Sequence, residues 1–125
     1  HCGARLEGVS LLNASKSDLD EMRSALFEYG VIVLPDQHLT PENHLSVAEF
    51  FGPINVNRFF TPVASHPMIA EVRTSAGQSA VLGGTWHTDH SYDAAPAMCS
   101  ILSARQLPPC GGDTHFASLA AAYDA

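Results

Sequence analysis

The sequence is poor in positive charge. Six Lys and Arg stand against 13 Asp and Glu, a formal net charge of −7 at pH 7 with His neutral. The cations are spread singly from Arg5 to Arg105. Binding a phosphate backbone or an anionic bilayer takes several clustered cations, so neither nucleic acid nor a membrane surface is an expected partner. Long apolar runs are also missing: no stretch approaches the roughly 18 residues that a membrane span needs. The opening residues His1-Cys2-Gly3-Ala4-Arg5 lack the charged, apolar, then small pattern of a signal peptide. Cysteine is scarce. Cys2, Cys99 and Cys110 make an odd set with no C-x-x-C, which argues against a disulfide framework and for a reducing, cytoplasmic setting. Buried free thiols are expected, with a single Cys99–Cys110 bridge as the alternative.

What is present is apolar material: 46% hydrophobic and 15% charged residues in 125. That suffices for a core and leaves too little charge for a disordered tail. No internal repeat or linker divides the chain, so residues 1–125 are expected to form at most one domain. The chain does not begin with Met, and Ser118 to Ala125 reads as the start of a helix. Residues 1–125 are therefore expected to be a partial domain, clipped at both ends.

Periodicity predicts helices in the first half and strands in the second. Arg5 to Val9 alternates weakly, as a short strand does. A helix follows, capped from Ser15, Ser17 or Asp18, with Asp18 and Glu21 at the spacing of a capping box. Its stripe is Leu19, Met22, Leu26 and Phe27, and Gly30 ends it. Val31 to Leu34 is an apolar run stopped by Pro35, read as a buried strand. Thr40-Pro41-Glu42 starts a second helix with Pro at its first position; Leu45, Ala48 and Phe51 share a face, and Gly52-Pro53 closes it. Residues 53–67 show no clear period. Met68 to Arg73 reads as a strand, 74–85 as a mobile loop, 97–104 and 113–116 as strands, and Ser118 as the cap of a last helix. The expected class is α+β, with an antiparallel sheet favoured.

The densest group of metal-ligand side chains is Trp86-His87-Thr88-Asp89-His90. On extended backbone, residues i and i+2 share a side, so His87 and Asp89 would face one point. On a helix they would stand about 200° apart. An imidazole nitrogen and a carboxylate oxygen together are two thirds of the 2-His-1-carboxylate triad that holds Fe(II) and leaves positions open for O2 and a co-substrate. A lone H-x-D also occurs by chance. A zinc reading, H-x2-H-x8-C-x10-C through His87, His90, Cys99 and Cys110, fits no common module. Trp86 is read as a core anchor. His44 and His66 receive no role.

Context extends the motif. W-H-T-D at 86–89, A-P-A-M-C-S-I-L-S-A-R-Q-L-P at 95–108, G-G-D-T at 111–114 and A-A-Y-D-A at 121–125 resemble the taurine/2,4-D dioxygenase family of Fe(II)- and 2-oxoglutarate-dependent oxygenases. Gly30 to Gln37 resembles the family's first buried strand and turn. Leu39-Thr40-Pro41 through Phe50-Phe51-Gly52-Pro53 resembles its second helix and closing F-G. The resemblance runs in order along nearly the whole chain. It implies part of a double-stranded β-helix, a jelly roll of the clavaminate synthase-like type with N-terminal helices, its barrel incomplete in this chain. It further implies His87 and Asp89 as iron ligands and Thr114 as a hydrogen-bond donor to the distal carboxylate of 2-oxoglutarate. The reaction that the resemblance implies oxidises the co-substrate with O2 to succinate and CO2 and hydroxylates a small organic acid: a sulfonate, sulfate ester or aryloxy acid.

The sequence also departs from the family pattern. An ungapped count puts Asn57 and Phe60 where taurine enzymes place a histidine and a tyrosine, so taurine itself is disfavoured. Tyr92 stands where the family places a pocket aromatic, and Gly83 stands where it has an asparagine. His90 follows the carboxylate ligand, where a small apolar residue is common; substrate contact and packing are both open to it. The family's third iron ligand and its 2-oxoglutarate arginine are expected outside this chain. After Asp89 the only histidines are His90 and His115, and no cation follows Arg105. The chain alone is accordingly expected to be inactive. The exposed edges of an incomplete sheet favour pairing with another chain, a homo-oligomer included. The rival readings are a catalytically inactive fragment and a non-enzymatic cupin-like binding module.

Overall fold

The computed structural model describes residues 2–75, 77–78 and 82–125. The chain falls into two compact units, one made of His1–Leu39 with Ser103–Ala125, the other of Thr40–Leu102. The described elements are α+β, and no closed barrel is formed among them.

In the first unit, strand β1 (Ala4–Arg5) lies parallel to β2 (Ile32–Val33), with helix α1 (Lys16–Tyr29) between them in sequence. Ser15 caps α1. Its hydroxyl accepts from the Asp18 backbone N–H, and the Asp18 carboxylate accepts from the Ser15 backbone N–H at 2.7 Å. The capping box is thus Ser15–Asp18, not Asp18–Glu21, because the helix starts one turn earlier than the apolar stripe alone indicates. Gly30 closes α1 at φ 73° and donates its N–H to Leu26, a left-handed position that favours glycine. Of the expected stripe, Met22 is buried and Phe27 is exposed. The Gln37 amide ties the loop before α1 to the turn after β2: it donates to the Val9 and Pro35 carbonyls and accepts from Leu11 N–H. Arg105 donates to the Leu39 carbonyl at 2.6 Å, fastening the later segment of this unit to the earlier one. Helix α3 (Leu119–Tyr123) is capped by Ser118, as expected.

In the second unit, helix α2 (Pro41–Phe51) begins at Thr40 with Pro in its first turn and a Thr40–Asn43 capping box, and buries Val47 and Phe51. Strands β3 (Thr61–Val63) and β4 (His66–Glu71) form an antiparallel hairpin with an irregularity between Pro62 and Val63. His66 binds Glu42 at the start of α2 through Nε2 at 2.9 Å and Ser65 Oγ through Nδ1 at 2.9 Å. His44 Nε2 donates to the Ile101 carbonyl at 3.2 Å, pinning the segment around Ile101 to α2. His44 and His66, given no role from sequence, are therefore joints of this unit.

Several expectations are corrected. Residues 97–104 and 113–116 are irregular rather than strands. A strand is a pairing, and among the described residues neither segment has a ladder partner. The run 31–34 contributes two strand residues, of which Val33 is exposed. β3 arises inside the stretch read as aperiodic, and the sheets are one parallel and one antiparallel pair. Of the thiols, only Cys99 is half-buried; Cys2 and Cys110 are exposed, and all three are free. Burial pushes the Cys99 thiol pKa up. Trp86 is 73% exposed and anchors no core among the described residues. The expected loop 74–85 lies partly outside the described residues. No helix is long and apolar enough to cross a membrane among those described.

The cap of α1 carries a pH signature. The Ser15 backbone N–H, and then its hydroxyl, hold the Asp18 carboxyl below its ordinary pKa. A depressed folded pKa adds stability that is present above the ordinary aspartate range and is lost as pH falls through the lowered value. Ser15→Ala is expected to cost about 1 kcal/mol at neutral pH. Asp18→Asn should flatten the acid limb of stability measured by urea unfolding between neutral pH and the aspartate range.

Candidate metal and co-substrate site

The segment that carries Trp86 to His90 forms no strand, yet it brings His87 and Asp89 together. His87 Nε2 lies 3.5 Å from Asp89 Oδ1. Two hydrogen bonds fix which atoms face each other. His87 Nδ1 lies 2.7 Å from the Thr85 carbonyl. A carbonyl only accepts, so Nδ1 carries the proton, and in the neutral imidazole Nε2 presents a lone pair. Asp89 Oδ2 accepts from the Ser100 hydroxyl at 2.8 Å, which leaves Oδ1 toward the imidazole. Gly83 packs against this ring: its φ is +70°, and a Cβ there would come within 3.4 Å of His87 Cε1. Both side chains remain more than half exposed, so solvent reaches the point they share.

The pair fits a first-row divalent ion. Nitrogen and oxygen ligands sit roughly 2.0–2.2 Å from such an ion, and two of them at a right angle are then about 3 Å apart. The observed 3.5 Å is within about half an ångström of that spacing. One neutral nitrogen and one carboxylate oxygen suit first-row divalent ions, Fe(II) and Zn(II) included. Among the described residues no cluster of three or more His, Cys, Asp and Glu could hold a metal, so the pair alone is not a complete ligand set. His90 is not a third: its backbone turns to φ 51° and its ring is engaged elsewhere.

His90 is the hub of a second group. Nδ1 lies 2.9 Å from Asp93 Oδ2 and Nε2 lies 3.2 Å from Asn57 Nδ2. The carboxylate accepts and the amide donates, so one neutral tautomer satisfies both contacts. Asn57 Oδ1 accepts from the Phe59 N–H at 2.8 Å, and Arg58 reaches Asp93 Oδ1 at 3.4 Å. The Tyr92 ring meets the Phe59 ring edge-on at 6.2 Å and lies 5.7 Å from the His90 imidazole. His90 is 16% exposed on its side chain, and both ring nitrogens are engaged within this cluster. Asn57 and Tyr92 are thus brought to one cluster directly after Asp89. Phe60 lines an open cleft of about 370 Å³ with Phe59, Thr61, Glu71, Arg73 and Leu82.

Thr114 belongs to the other unit. It is exposed on irregular backbone after the left-handed Gly111 and Gly112. Sequence reasoning missed Thr85, Asp93 and Ser100. The Thr85 contribution is a backbone carbonyl, which has no signature in residue type. Ser100 acts across 11 positions, where no local spacing rule applies.

The Asn57–His90 bond joins two loops that have no ladder between them. Asn57→Ala and His90→Ala are each expected to destabilise by about 1 kcal/mol. The double variant should lose less than the sum, with a coupling of roughly 0.5–1 kcal/mol, read by denaturant unfolding of the four proteins.

The family model described as "Taurine catabolism dioxygenase TauD, TfdA family" matches residues 1–125. The chain is 32% identical over 126 residues to a (S)-phenoxypropionate/alpha-ketoglutarate-dioxygenase of Sphingobium herbicidovorans, covering 98% of this chain and 44% of that protein. It is 32% identical over 139 residues to an alpha-ketoglutarate-dependent 2,4-dichlorophenoxyacetate dioxygenase of Cupriavidus pinatubonensis, covering 98% and 48%. It is 27% identical over 133 residues to an alpha-ketoglutarate-dependent sulfonate dioxygenase of Saccharomyces cerevisiae, covering 98% and 32%. The chain therefore spans less than half the length of these relatives. With a family match over its whole length and His87 and Asp89 converging within it, the chain belongs to the TauD, TfdA family of dioxygenases.

Proposed function

We propose that residues 1–125 are the N-terminal part of a single Fe(II)- and 2-oxoglutarate-dependent dioxygenase domain, a double-stranded β-helix completed outside this chain. The observation that carries the reading is the orientation of His87 Nε2 toward Asp89 Oδ1 at 3.5 Å, in a tautomer set by Thr85. In this reading the two atoms are iron ligands, and the third ligand and a cation for the co-substrate come from residues outside this chain. Bound iron supplies O2 activation coupled to oxidation of 2-oxoglutarate to succinate and CO2.

The chain's own residues hold and orient. The Thr85 carbonyl keeps the His87 proton on Nδ1, so Nε2 stays a donor of electrons and not of a proton. Asp89 offers one oxygen while its other stays bonded to Ser100. Thr114 donates its hydroxyl to the distal carboxylate of 2-oxoglutarate. Asn57, Phe60 and Tyr92 line the substrate side. One amide hydrogen of Asn57 is used on His90, and the second is free to meet an acid oxygen. The substrate is a small organic acid. Aromatic neighbours Phe59, Phe60 and Tyr92, together with relatives named for phenoxypropionate and 2,4-dichlorophenoxyacetate, favour an aryloxy acid over a sulfonate or sulfate ester.

The test uses the full-length protein with Fe(II), 2-oxoglutarate and a panel of aryloxy acids, sulfonates and sulfate esters. Succinate release and O2 uptake are measured. His87→Ala and Asp89→Ala are each expected to lower turnover by more than roughly 100-fold, beyond what loss of a residue behind a ligand costs. Unchanged turnover in either variant would overturn the ligand assignment. An absence of 2-oxoglutarate turnover in the unaltered full-length protein would favour a binding module.

A further inference from the structure

We propose that Ser100 is a positioning residue that presents Asp89 to the metal through one oxygen, and that helix α2 sets its place through His44. The inference rests on the reading of His87 and Asp89 as ligands. Its geometry is a relay of two bonds. His44, on α2, donates from Nε2 to the Ile101 carbonyl at 3.2 Å. The neighbouring residue, Ser100, donates its hydroxyl to Asp89 Oδ2 at 2.8 Å. The backbone at 100–101 is irregular and unsupported by any ladder among the described residues. The His44 bond therefore does what a strand partner would otherwise do, and it fixes where the Ser100 side chain starts.

The need for such a device follows from exposure. Asp89 is 57% exposed on its side chain, so packing within residues 1–125 does not limit rotation of the carboxylate. Left to water, either oxygen could turn to the metal, or both could, and a carboxylate that binds through both oxygens takes a position the co-substrate needs. A hydroxyl bonded to Oδ2 removes that freedom. It leaves Oδ1, 3.5 Å from His87 Nε2, as the ligating atom. Water replaces a lost exposed hydrogen bond at little cost in folding, so the hydroxyl acts on ligand orientation and not on stability. Groups behind metal ligands typically change affinity by roughly 10–100-fold when removed.

The experiment titrates Co(II), as a spectroscopic stand-in for Fe(II), into the full-length protein and follows its visible absorption. Ser100→Val and Ser100→Thr have nearly the same shape and differ in the hydroxyl. Ser100→Val is expected to weaken Co(II) binding by roughly 10-fold and to alter the band shape. Ser100→Thr should stay within about 2-fold of the unaltered protein. Unfolding midpoints of both should match it. Equal Co(II) affinity in Ser100→Val and the unaltered protein would overturn the inference, as would equal losses in Ser100→Val and Ser100→Thr. His87→Ala and Asp89→Ala separate the two claims. If they lose Co(II) binding while Ser100→Val does not, only the role of Ser100 fails. If they bind Co(II) normally, the ligand reading fails and takes this inference with it.

Discussion

An imidazole nitrogen and a carboxylate oxygen must be held a few ångströms apart on a segment that neither a helix nor a sheet supports. That constraint organises the second unit. His87 and Asp89 are both more than half exposed, so their placement comes from hydrogen bonds and not from packing. Thr85 fixes the imidazole, Ser100 fixes the carboxylate, and the Asn57–His90–Asp93 group fixes the turn that follows. The exposed Thr85 and Ser100 bonds are each worth little to folding in contact with water. Together they decide which atoms face each other.

The surroundings support these bonds at one remove. Helix α2 buries Val47 and Phe51 and is fixed at its start by the Thr40–Asn43 box. From that helix His44 reaches Ile101, and Glu42 meets His66 beside the hairpin turn. A Thr40 hydroxyl, the Glu42 backbone N–H and His66 hold the Glu42 carboxyl below its ordinary pKa, so the contact beside the hairpin turn has a charged acceptor at neutral pH. The helix thus carries information outward to an exposed loop through histidines whose side chains bridge distances that the backbone does not.

Local signals were legible in the sequence wherever they act over one turn. Gly30, the Pro41 helix start and Ser118 as a cap all lie where spacing puts them, because caps are chemistry between residues three or four apart. The Ser15–Asp18 box was one turn from its expected place, since polar residues before the apolar stripe still extend the helix. The strands at 97–104 and 113–116 were misread for a different reason. Ile101, Leu102 and Phe116 have strand composition, but a strand exists only against a partner, and composition does not carry the partner. Trp86 is likewise uncovered among the described residues: a large apolar ring marks a core only if something covers it. At the site, the i, i+2 spacing of His87 and Asp89 makes their convergence legible although they lie on no strand, whereas Ser100 and Asp93 were invisible because their contacts depend on the path of the turn between them.

Family membership rests on the whole chain, but the metal reading rests on one pair of atoms. Crystals of the full-length protein grown with Fe(II) without oxygen, measured on either side of the iron absorption edge, test it most directly. An anomalous peak is expected between His87 Nε2 and Asp89 Oδ1, with Asp89 Oδ2 still bonded to Ser100. An iron peak on other residues, or full occupancy with His87 or Asp89 turned away from it, would contradict the account.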